Sequence, residues 1–169
     1  MGRTLLNGGY AGSETIIRSE NPLLLQITST PFYYRPVSLD SGGFDASGRY
    51  FYYKRQNDIA LPAAFFRFDV QSLISEPVRE GDFVPFPARM VLNGDESLIY
   101  DDSRGNTVSE DKNKYFEINS NGKIYKIYHG NSRGPAPETR TCACLSPDAS
   151  RLAYFSNIYG PRYIFIYKF

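Results

Sequence analysis

A short hairpin pattern occurs four times along the 169 residues of this chain. Each copy consists of an apolar residue, a polar turn of small residues and an apolar strand. The copies span 10–17, 44–53, 92–100 and 145–154, so their first residues lie 34, 48 and 53 positions apart. A period of this size indicates repeated structural units that stack on one another to bury a shared core.

The residues between the hairpins favour strands over helices. The chain holds 14 Tyr and 12 Phe, residues that suit a pleated, half-buried surface. Its 14 Gly and 11 Pro punctuate the sequence often, which is typical of many short strands joined by turns. Helical periodicity is nearly absent, and the sequence therefore predicts an all-β fold.

The repeats predict one domain over residues 1–169. We expect four units of about four strands at 8–39, 40–81, 82–130 and 131–169. The last unit lacks a fourth strand, and residues 2–7 supply a candidate in Arg3–Leu6. Pairing of this strand beside Tyr163–Phe169 would close a ring of units and remove two open sheet edges.

Local signals predict three further features. Ser75–Arg79 contains a proline and is expected to form an outer edge strand, where one ladder hydrogen bond is dispensable. Asn119–Gly122 is expected to form a tight hairpin turn, because Asn and Gly tolerate positive φ. The stretch 101–114 is expected to be a long polar connection.

The last repeat carries the most specific motif. Leu145–Ser156, then Gly160, then Tyr163–Tyr167, resembles the repeat of TolB-like (WD40-like) β-propellers, which reads roughly S-P-D-G, a strand, a connector with Gly and a second strand. This copy has Ala149 where Gly is usual, and the copy at 44–53 keeps Gly48 but has Asp-Ala-Ser in place of Ser-Pro-Asp.

This resemblance implies a β-propeller of about four four-stranded blades, with the N-terminal strand completing the last blade. Three arrangements remain open: a closed four-bladed ring, two chains that share an eight-bladed ring, and part of a longer propeller.

A weaker similarity concerns function. The stretch 28–53 is similar in character to oligogalacturonate-lyase-type propellers, which use histidines around a divalent metal. The chain has one histidine, His129, so no catalytic residue is carried over and neither a cofactor nor a metal is expected. The sequence therefore predicts a non-catalytic binding or assembly scaffold; a propeller-type carbohydrate-active enzyme, either a polysaccharide lyase or a hydrolase, is the alternative.

Two connections between units supply candidate ligand-binding residues. The loop that enters the last unit is polar, and the equivalent connection one unit earlier carries phenylalanines that can stack on a sugar or an apolar ligand. The competing interpretations are a solvated loop for the first and packing between units for the second. The candidates are His129, Asn131, Arg133, Arg140, Phe83 and Phe86.

Paired carboxylates and two cysteines are candidate metal ligands. Asp101–Asp102 and Glu110–Asp111 supply oxygen ligands of the kind that calcium prefers, but their order does not match an EF-hand loop and Arg104 argues against a cation. A solvated loop is the other interpretation. Cys142 and Cys144 lie too far apart on a strand for an easy bridge and are expected to be free, buried thiols.

The charge balance limits the expected partners. Nineteen basic and 18 acidic residues leave a net charge of +1, which gives no reason to expect nucleic acid or an anionic membrane surface. Aromatic runs interleaved with Arg35, Lys54, Arg55 and Arg67 are compatible with base stacking, but packing between units explains them without a charged groove. No segment is apolar enough for a membrane span, and the expected partners are a protein or a glycan, with a homo-oligomer as a further option.

Overall fold

A computed structural model describes most of the chain. The described residues are 5–6, 9–10, 17–18, 22–28, 32–37, 43–56, 61–84, 86–90, 98–111, 115–128, 143–156 and 163–169. Within these ranges the regular structure consists of β-strands and no helix is present. The prediction of an all-β fold is confirmed.

Sixteen short strands make up this structure. They are β1 (Leu5–Leu6), β2 (Gly9–Tyr10), β3 (Ile17–Arg18), β4 (Leu24–Gln26), β5 (Tyr33–Pro36), β6 (Tyr50–Gln56), β7 (Ala64–Asp69), β8 (Ile74–Val78), β9 (Arg89–Met90), β10 (Leu98–Asp101), β11 (Thr107–Asp111), β12 (Tyr115–Ser120), β13 (Lys123–Tyr128), β14 (Ala143–Leu145), β15 (Arg151–Ser156) and β16 (Tyr163–Lys168).

The strands form three large antiparallel sheets and one small one. The first sheet has the order β5-β6-β7-β8, the second sheet β13-β12-β11-β10-β9, and the third sheet β14-β15-β16-β4-β3. Strands β1 and β2 pair only with each other. Sequence-adjacent strands thus pair almost throughout, as in stacked repeat units.

The strand beside β16 differs from the prediction. Strand β4 takes this position, with Leu25 opposite Ile166, whereas Leu5–Leu6 pairs with β2. The reason lies in the apolar run at 23–27. Ile27 is fully buried and its amide donates to the Ile164 carbonyl at 2.9 Å. The expectation that Arg3–Leu6 pairs beside the C-terminal strand is therefore wrong.

The predicted first unit at 8–39 is also divided. Its strands β3 and β4 belong to the third sheet, while β5 belongs to the first sheet. The chain therefore passes from one sheet to the next between Thr28 and Tyr33. The remaining predicted boundaries, and the single domain over 1–169, stay predictions.

The predicted polar connection at 101–114 contains a strand. Strand β11 pairs with β10 on one side and β12 on the other. Its Val108 and Glu110 are buried, and Thr107 and Ser109 between them are half-buried. This alternation with a period of two is the pattern of a strand with one covered face. The sequence did not reveal the strand, because most of its residues are polar.

Two local predictions are confirmed. Strand β8 lies at an edge of the first sheet and contains Pro77, which pairs with Phe66. The turn between β12 and β13 has positive φ at Asn121 (52°) and Gly122 (79°), the conformation of a type I′ hairpin.

The third sheet lies between the other two. On one face its Phe155 ring is 6.3 Å from Phe51 of the first sheet. On the opposite face its Tyr154 ring is 5.3 Å from Phe116 of the second sheet. Aromatic contacts at such distances stabilise the stacking of one sheet on the next. Face-to-face stacking of antiparallel sheets is compatible with a propeller-like arrangement.

Cys144 lies in this interface as a buried thiol that forms no disulfide bond, as predicted. Its Sγ accepts a hydrogen bond from the Gly43 amide at 3.4 Å, which joins the third sheet to the first. Cys142 lies outside the described residues.

Candidate functional site

Four of the six predicted ligand-binding residues cannot be placed. His129, Asn131, Arg133 and Arg140 lie outside the described residues. Their role in binding stays a prediction.

The other two, Phe83 and Phe86, pack against different sheets. The half-buried Phe83 ring lies 4.4 Å from the Tyr52 ring of the first sheet. The Phe86 ring lies 4.8 Å from the Arg104 guanidinium of the second sheet, and the Phe86 amide donates to the Phe44 carbonyl at 2.9 Å. Both rings therefore pack against other side chains of the protein. A ligand-binding role for either residue stays a prediction.

Two of the repeated hairpins fold in the same way. In the first sheet the Asp45 amide donates to the Tyr50 carbonyl at 3.0 Å. In the third sheet the Ser146 amide donates to the Arg151 carbonyl at 2.9 Å. Each turn contains one residue with positive φ at the matching position, Gly48 at 71° and Ala149 at 56°.

In these two turns an aspartate and a serine exchange positions, and each accepts a backbone amide at the position where it lies. Asp45 accepts the Tyr50 amide and Ser47 accepts the Arg49 amide, both at 3.2 Å. At the matching positions of the third sheet, Ser146 accepts the Arg151 amide and Asp148 accepts the Ser150 amide, both at 3.0 Å.

The hydroxyl donates to the carboxylate in both turns. Ser47 donates to Asp45 at 2.7 Å, and Ser146 donates to Asp148 at 2.6 Å. Asp-x-Ser and Ser-x-Asp are thus two solutions to the same turn, because hydroxyl and carboxylate oxygens both accept backbone amides.

A third turn of similar design joins β10 to β11. Asp102 Oδ1 accepts the amides of Arg104 and Asn106 at 2.8 and 3.2 Å. Gly105 has a φ of 93°, the counterpart of Gly48. An aspartate followed three residues later by a glycine occurs in both turns, so a signal for this hairpin is present in the sequence. This signal follows the repeat pattern at 92–100, and most of that pattern lies outside the described residues.

Asp102 is structural in this arrangement. Its side chain is 0% exposed, and its Oδ2 accepts the Asn106 amide group at 2.6 Å. Burial raises the pKa of Asp102, but the hydrogen bonds from Asn106 and from the Arg104 amide outweigh burial and hold the pKa below its ordinary value of 3.8. The carboxylate is thus ionised at neutral pH and saturated by its own turn, which accounts for Asp102 better than the solvated loop or the calcium site.

The turns of the second and third sheets meet at one end of the stack, and we call these contacts the turn cluster. The Asn121 Nδ2 donates to the Asp148 carbonyl at 3.0 Å, and the Arg104 Nη2 donates to the Pro147 carbonyl. Within the second sheet, the Asn121 amide donates to Asn106 Oδ1 at 2.9 Å. The first two bonds hold side chains from the second sheet against the backbone of the turn in the third sheet.

A polar depression of about 560 Å³ opens at the turn cluster. Its volume falls within the ordinary range for small-molecule sites, roughly 300–1,000 Å³. It is lined mainly by Arg104, Asn106, Asn119, Asn121, Pro147 and Asp148.

A second, larger groove of about 770 Å³ lies on the outer face of the first sheet. Phe65 and Val78 line it together with Arg67 and Glu76, whose side chains form an ion pair. The Arg67 guanidinium also stacks on the Tyr50 ring at 4.4 Å. The charges of Arg67 and Glu76 are therefore already engaged with each other within the sheet.

The basic residues interleaved with aromatics are used for packing. Arg55 is 1% exposed, with its guanidinium 4.2 Å from the Phe66 ring. Lys54 lies 5.6 Å from the Phe65 ring. Both contacts are cation–π interactions inside one sheet. These two residues therefore pack within a unit, and packing between units stays a prediction for them.

No group of three or more His, Cys, Asp or Glu side chains in the described ranges is arranged to hold a metal ion. No helix in the same ranges has the length and apolar character needed to cross a membrane.

A scan against protein-family models gives no match to this chain, and searches of curated proteins and of solved structures give none either.

Proposed function

We propose that this chain forms blades of a TolB-like (WD40-like) β-propeller and acts as a non-catalytic binding or assembly scaffold. The matching turns at 45–50 and 146–151 support the propeller, because they share backbone hydrogen bonds and the position of the residue with positive φ. The stacking of the third sheet between the other two supports it further.

The assembly role rests on the outer faces of the stack. In the first sheet Tyr34 and Phe51 point to the third sheet, so Tyr33 and the face of Tyr50 point away from it. Ile74 belongs to this outer face, because it pairs with Asp69 and Asp69 pairs with Tyr50. Tyr33 is 56% exposed and Ile74 is 54% exposed.

The second sheet has an outer face of the same kind. Phe116 points to the third sheet, so Asn119 and its cross-strand partner Ile124 lie on the opposite face. Ile124 is 67% exposed. The single observation that carries the proposal is that the stack ends in two outer sheet faces with exposed apolar side chains.

We infer that a second copy of the chain covers these faces in the manner of one more blade. The loop residues His129, Asn131, Arg133 and Arg140, with Phe83 and Phe86, are proposed to contact a protein or a glycan partner.

The mass in solution tests the assembly role. We expect a mass above the 19.2 kDa of one chain by light scattering. Ile124→Lys places a charge on the outer face and is expected to shift the mass toward one chain. Val84→Lys is the matched control, because Val84 is 75% exposed in a loop outside the strands. A mass of one chain at every concentration, or equal effects of both variants, contradicts the assembly role.

A further inference from the structure

One edge of the second sheet is open. Strand β13 is the last strand of this sheet, and within the described ranges no strand pairs with its other side, which we call the open edge. With six residues, Lys123–Tyr128, β13 is the longest edge strand in the described part of the three large sheets. The backbone groups along such an edge are a template for pairing with a further strand.

The two other large sheets treat the corresponding position differently. In the first sheet the edge strand β8 contains Pro77, which has no amide hydrogen and therefore weakens pairing along that edge. In the third sheet β4 pairs with β16, and β3 pairs with β4. Among the described residues, the open edge of β13 has neither a proline nor an added strand.

The turn before β13 determines which backbone groups point to the open edge. In a two-residue type I′ hairpin the residues that flank the turn, here Ser120 and Lys123, exchange both backbone hydrogen bonds. Bonded and non-bonded pairs alternate along an antiparallel ladder, so Tyr125 is the next residue that bonds to β12. The amides and carbonyls of Ile124 and Lys126 therefore point away from β12, toward the open edge.

The third sheet extends past the second sheet at this edge. Phe116 of β12 lies against Tyr154 of β15, and Tyr125 of β13 lies against Phe169, which directly follows β16. The next strand of the third sheet is β4, whereas the second sheet ends at β13 within the described residues. A strand added to the open edge would therefore lie over β4.

The surface that such a strand would cover is partly apolar. Leu24 of β4 pairs with Tyr167, which lies two residues beyond Phe165 on the same face of β16. The Phe165 ring stacks on the Tyr154 ring at 5.4 Å, so this face points to the second sheet. Leu24 is half-buried there, as is Ile127 on the facing side of β13. Apolar side chains of an added strand would bury both.

The charges along β13 indicate an acidic partner. Lys123 and Lys126 are exposed and are the two charged residues of this strand. The Lys126 Nζ lies 5.0 Å from the centroid of the Tyr115 ring and forms no ion pair with the described residues. Lysines on an edge strand oppose its pairing with a second copy of itself. Carboxylates on an added strand would instead pair with them.

We propose that the open edge of β13 is a docking site for an extended, acidic segment of a partner protein, which pairs antiparallel with β13 as a further strand of the second sheet. Residues opposite Ile124 and Lys126 then have their side chains on the outer face and include the acidic groups. The residues between them are apolar and point to β4.

This site is separable from the assembly of copies on the outer faces. It uses the backbone of a sheet edge, and it needs neither a second copy of the chain nor a closed ring. A mass of one chain in solution contradicts the assembly role and leaves the edge site intact. A failure of the edge to bind a strand leaves the assembly role intact.

Hydrogen exchange with a model strand tests the proposal. The probe is a peptide of about eight residues that alternates valine and glutamate and has blocked ends, a length that matches an ordinary strand. In nuclear magnetic resonance measurements on the full chain, the amides of Ile124 and Lys126 should exchange rapidly alone and at least tenfold more slowly with saturating peptide, or about that factor. The Tyr125 amide bonds to β12 and should exchange slowly in both states.

Two N-methylated forms of the same peptide are matched controls. In antiparallel pairing the glutamate amides point to β13 and the valine amides point away from it. Methyl groups on the glutamate amides should therefore abolish the protection of Ile124 and Lys126, whereas methyl groups on the valine amides should preserve it. Because the protein is unchanged, this comparison does not depend on the folding of a variant.

Charge is tested with a peptide of alternating valine and lysine. It should bind roughly threefold more weakly than the acidic peptide or worse, the scale of an exposed ion pair. Lys126→Glu should reduce or reverse this preference. Arg79→Glu is the matched control, because it makes the same change in net charge at an exposed residue after β8 and should leave the preference unchanged.

Four outcomes overturn the proposal. They are the absence of protection with the acidic peptide, equal protection by both methylated peptides, equal binding of the acidic and basic peptides, and protection of Ile124 and Lys126 that appears without peptide as the protein concentration rises. The last outcome would assign the open edge to a second copy of the chain.

Discussion

Two constraints decide which amino acid certain positions of this protein can hold: the close approach of neighbouring atoms, and the need for every buried polar group to form hydrogen bonds. Gly43 is an example of the first. A Cβ atom at this position would lie 2.3 Å from Cε2 of the buried Phe51 ring. Asp102 is an example of the second, since its two oxygens accept hydrogen bonds from its own turn. The sequence does not predict the ring beside Gly43, because that contact depends on how the hairpin closes.

Gly43→Ala is expected to destabilise the fold. The new methyl group overlaps a ring that has no free space, and overpacking of this kind costs about 1–3 kcal/mol. The free energy of unfolding, measured by chemical denaturation, gives the cost. The Phe51→Leu background is the control, because a smaller side chain leaves room for the methyl group. An equal cost of Gly43→Ala in both backgrounds contradicts the contact.

Asp102 is expected to make stability depend on pH. Its pKa is lowered in the folded state, so its contribution is present above the ordinary value of 3.8 and is lost as the pH falls through the folded pKa. Asp102→Asn should therefore cost stability at pH 7, by about 1.5–3 kcal/mol for hydrogen bonds to a charged group. The difference between wild type and variant should narrow in the acid range.

Unfolding curves between neutral pH and about pH 2.5, a range that brackets the usual carboxyl pKa, measure this dependence. Gln71→Asn, an uncharged change at an exposed turn residue, is the control and should show a constant difference. A difference for Asp102→Asn that stays constant or widens toward acid pH would show that the carboxylate is not the stabilising form.

Hairpin elements repeat their backbone geometry more faithfully than their residues. The turns at 45–50 and 146–151 exchange Asp and Ser and accept either Gly48 or Ala149 at the position with positive φ. The repeat was visible in the sequence because both turns keep small polar residues even though Asp and Ser exchange positions. Strand β11 was not, because its buried face includes Glu110 and its other residues read as a loop.

Exchanges at the positions with positive φ test the equivalence of the two turns. Gly48→Ala is expected to cost about 1–2 kcal/mol, since a side chain disfavours this conformation. Ala149→Gly should stay within about 1 kcal/mol of wild type, because relief of the same strain offsets the loss of a buried methyl group worth roughly 0.8 kcal/mol. Chemical denaturation of both variants measures the difference. Costs in the reverse order would show that the two turns are not equivalent.

The whole molecule is organised around the third sheet, which joins distant parts of the chain. Repeats in the sequence predicted sheets made of neighbouring strands, and most strand pairs follow that rule. They also predicted that Arg3–Leu6 would pair beside the C-terminal strand. That prediction was wrong, because β4, from the similar apolar run at 23–27, takes this position.

The candidate site was less accessible to sequence reasoning than the fold. Arg104, Asn119, Asn121 and Asp148 come from two sheets and meet only through the packing of those sheets. Each appeared in the sequence as a turn or strand residue. Their convergence depends on contacts between positions far apart in the chain, which spacing within one repeat does not report.

Distances between protons across β4 and β16 test the arrangement of the third sheet most directly. In an isotope-labelled sample, nuclear Overhauser effects should connect the backbone protons of Leu25 with those of Ile166, and the Phe155 ring with the Phe51 ring. The observation of both contacts is the result that we predict. Contacts that place Leu5–Leu6 beside β16, or the absence of any strand next to Ile166, would contradict the stacked sheets on which the proposed scaffold depends.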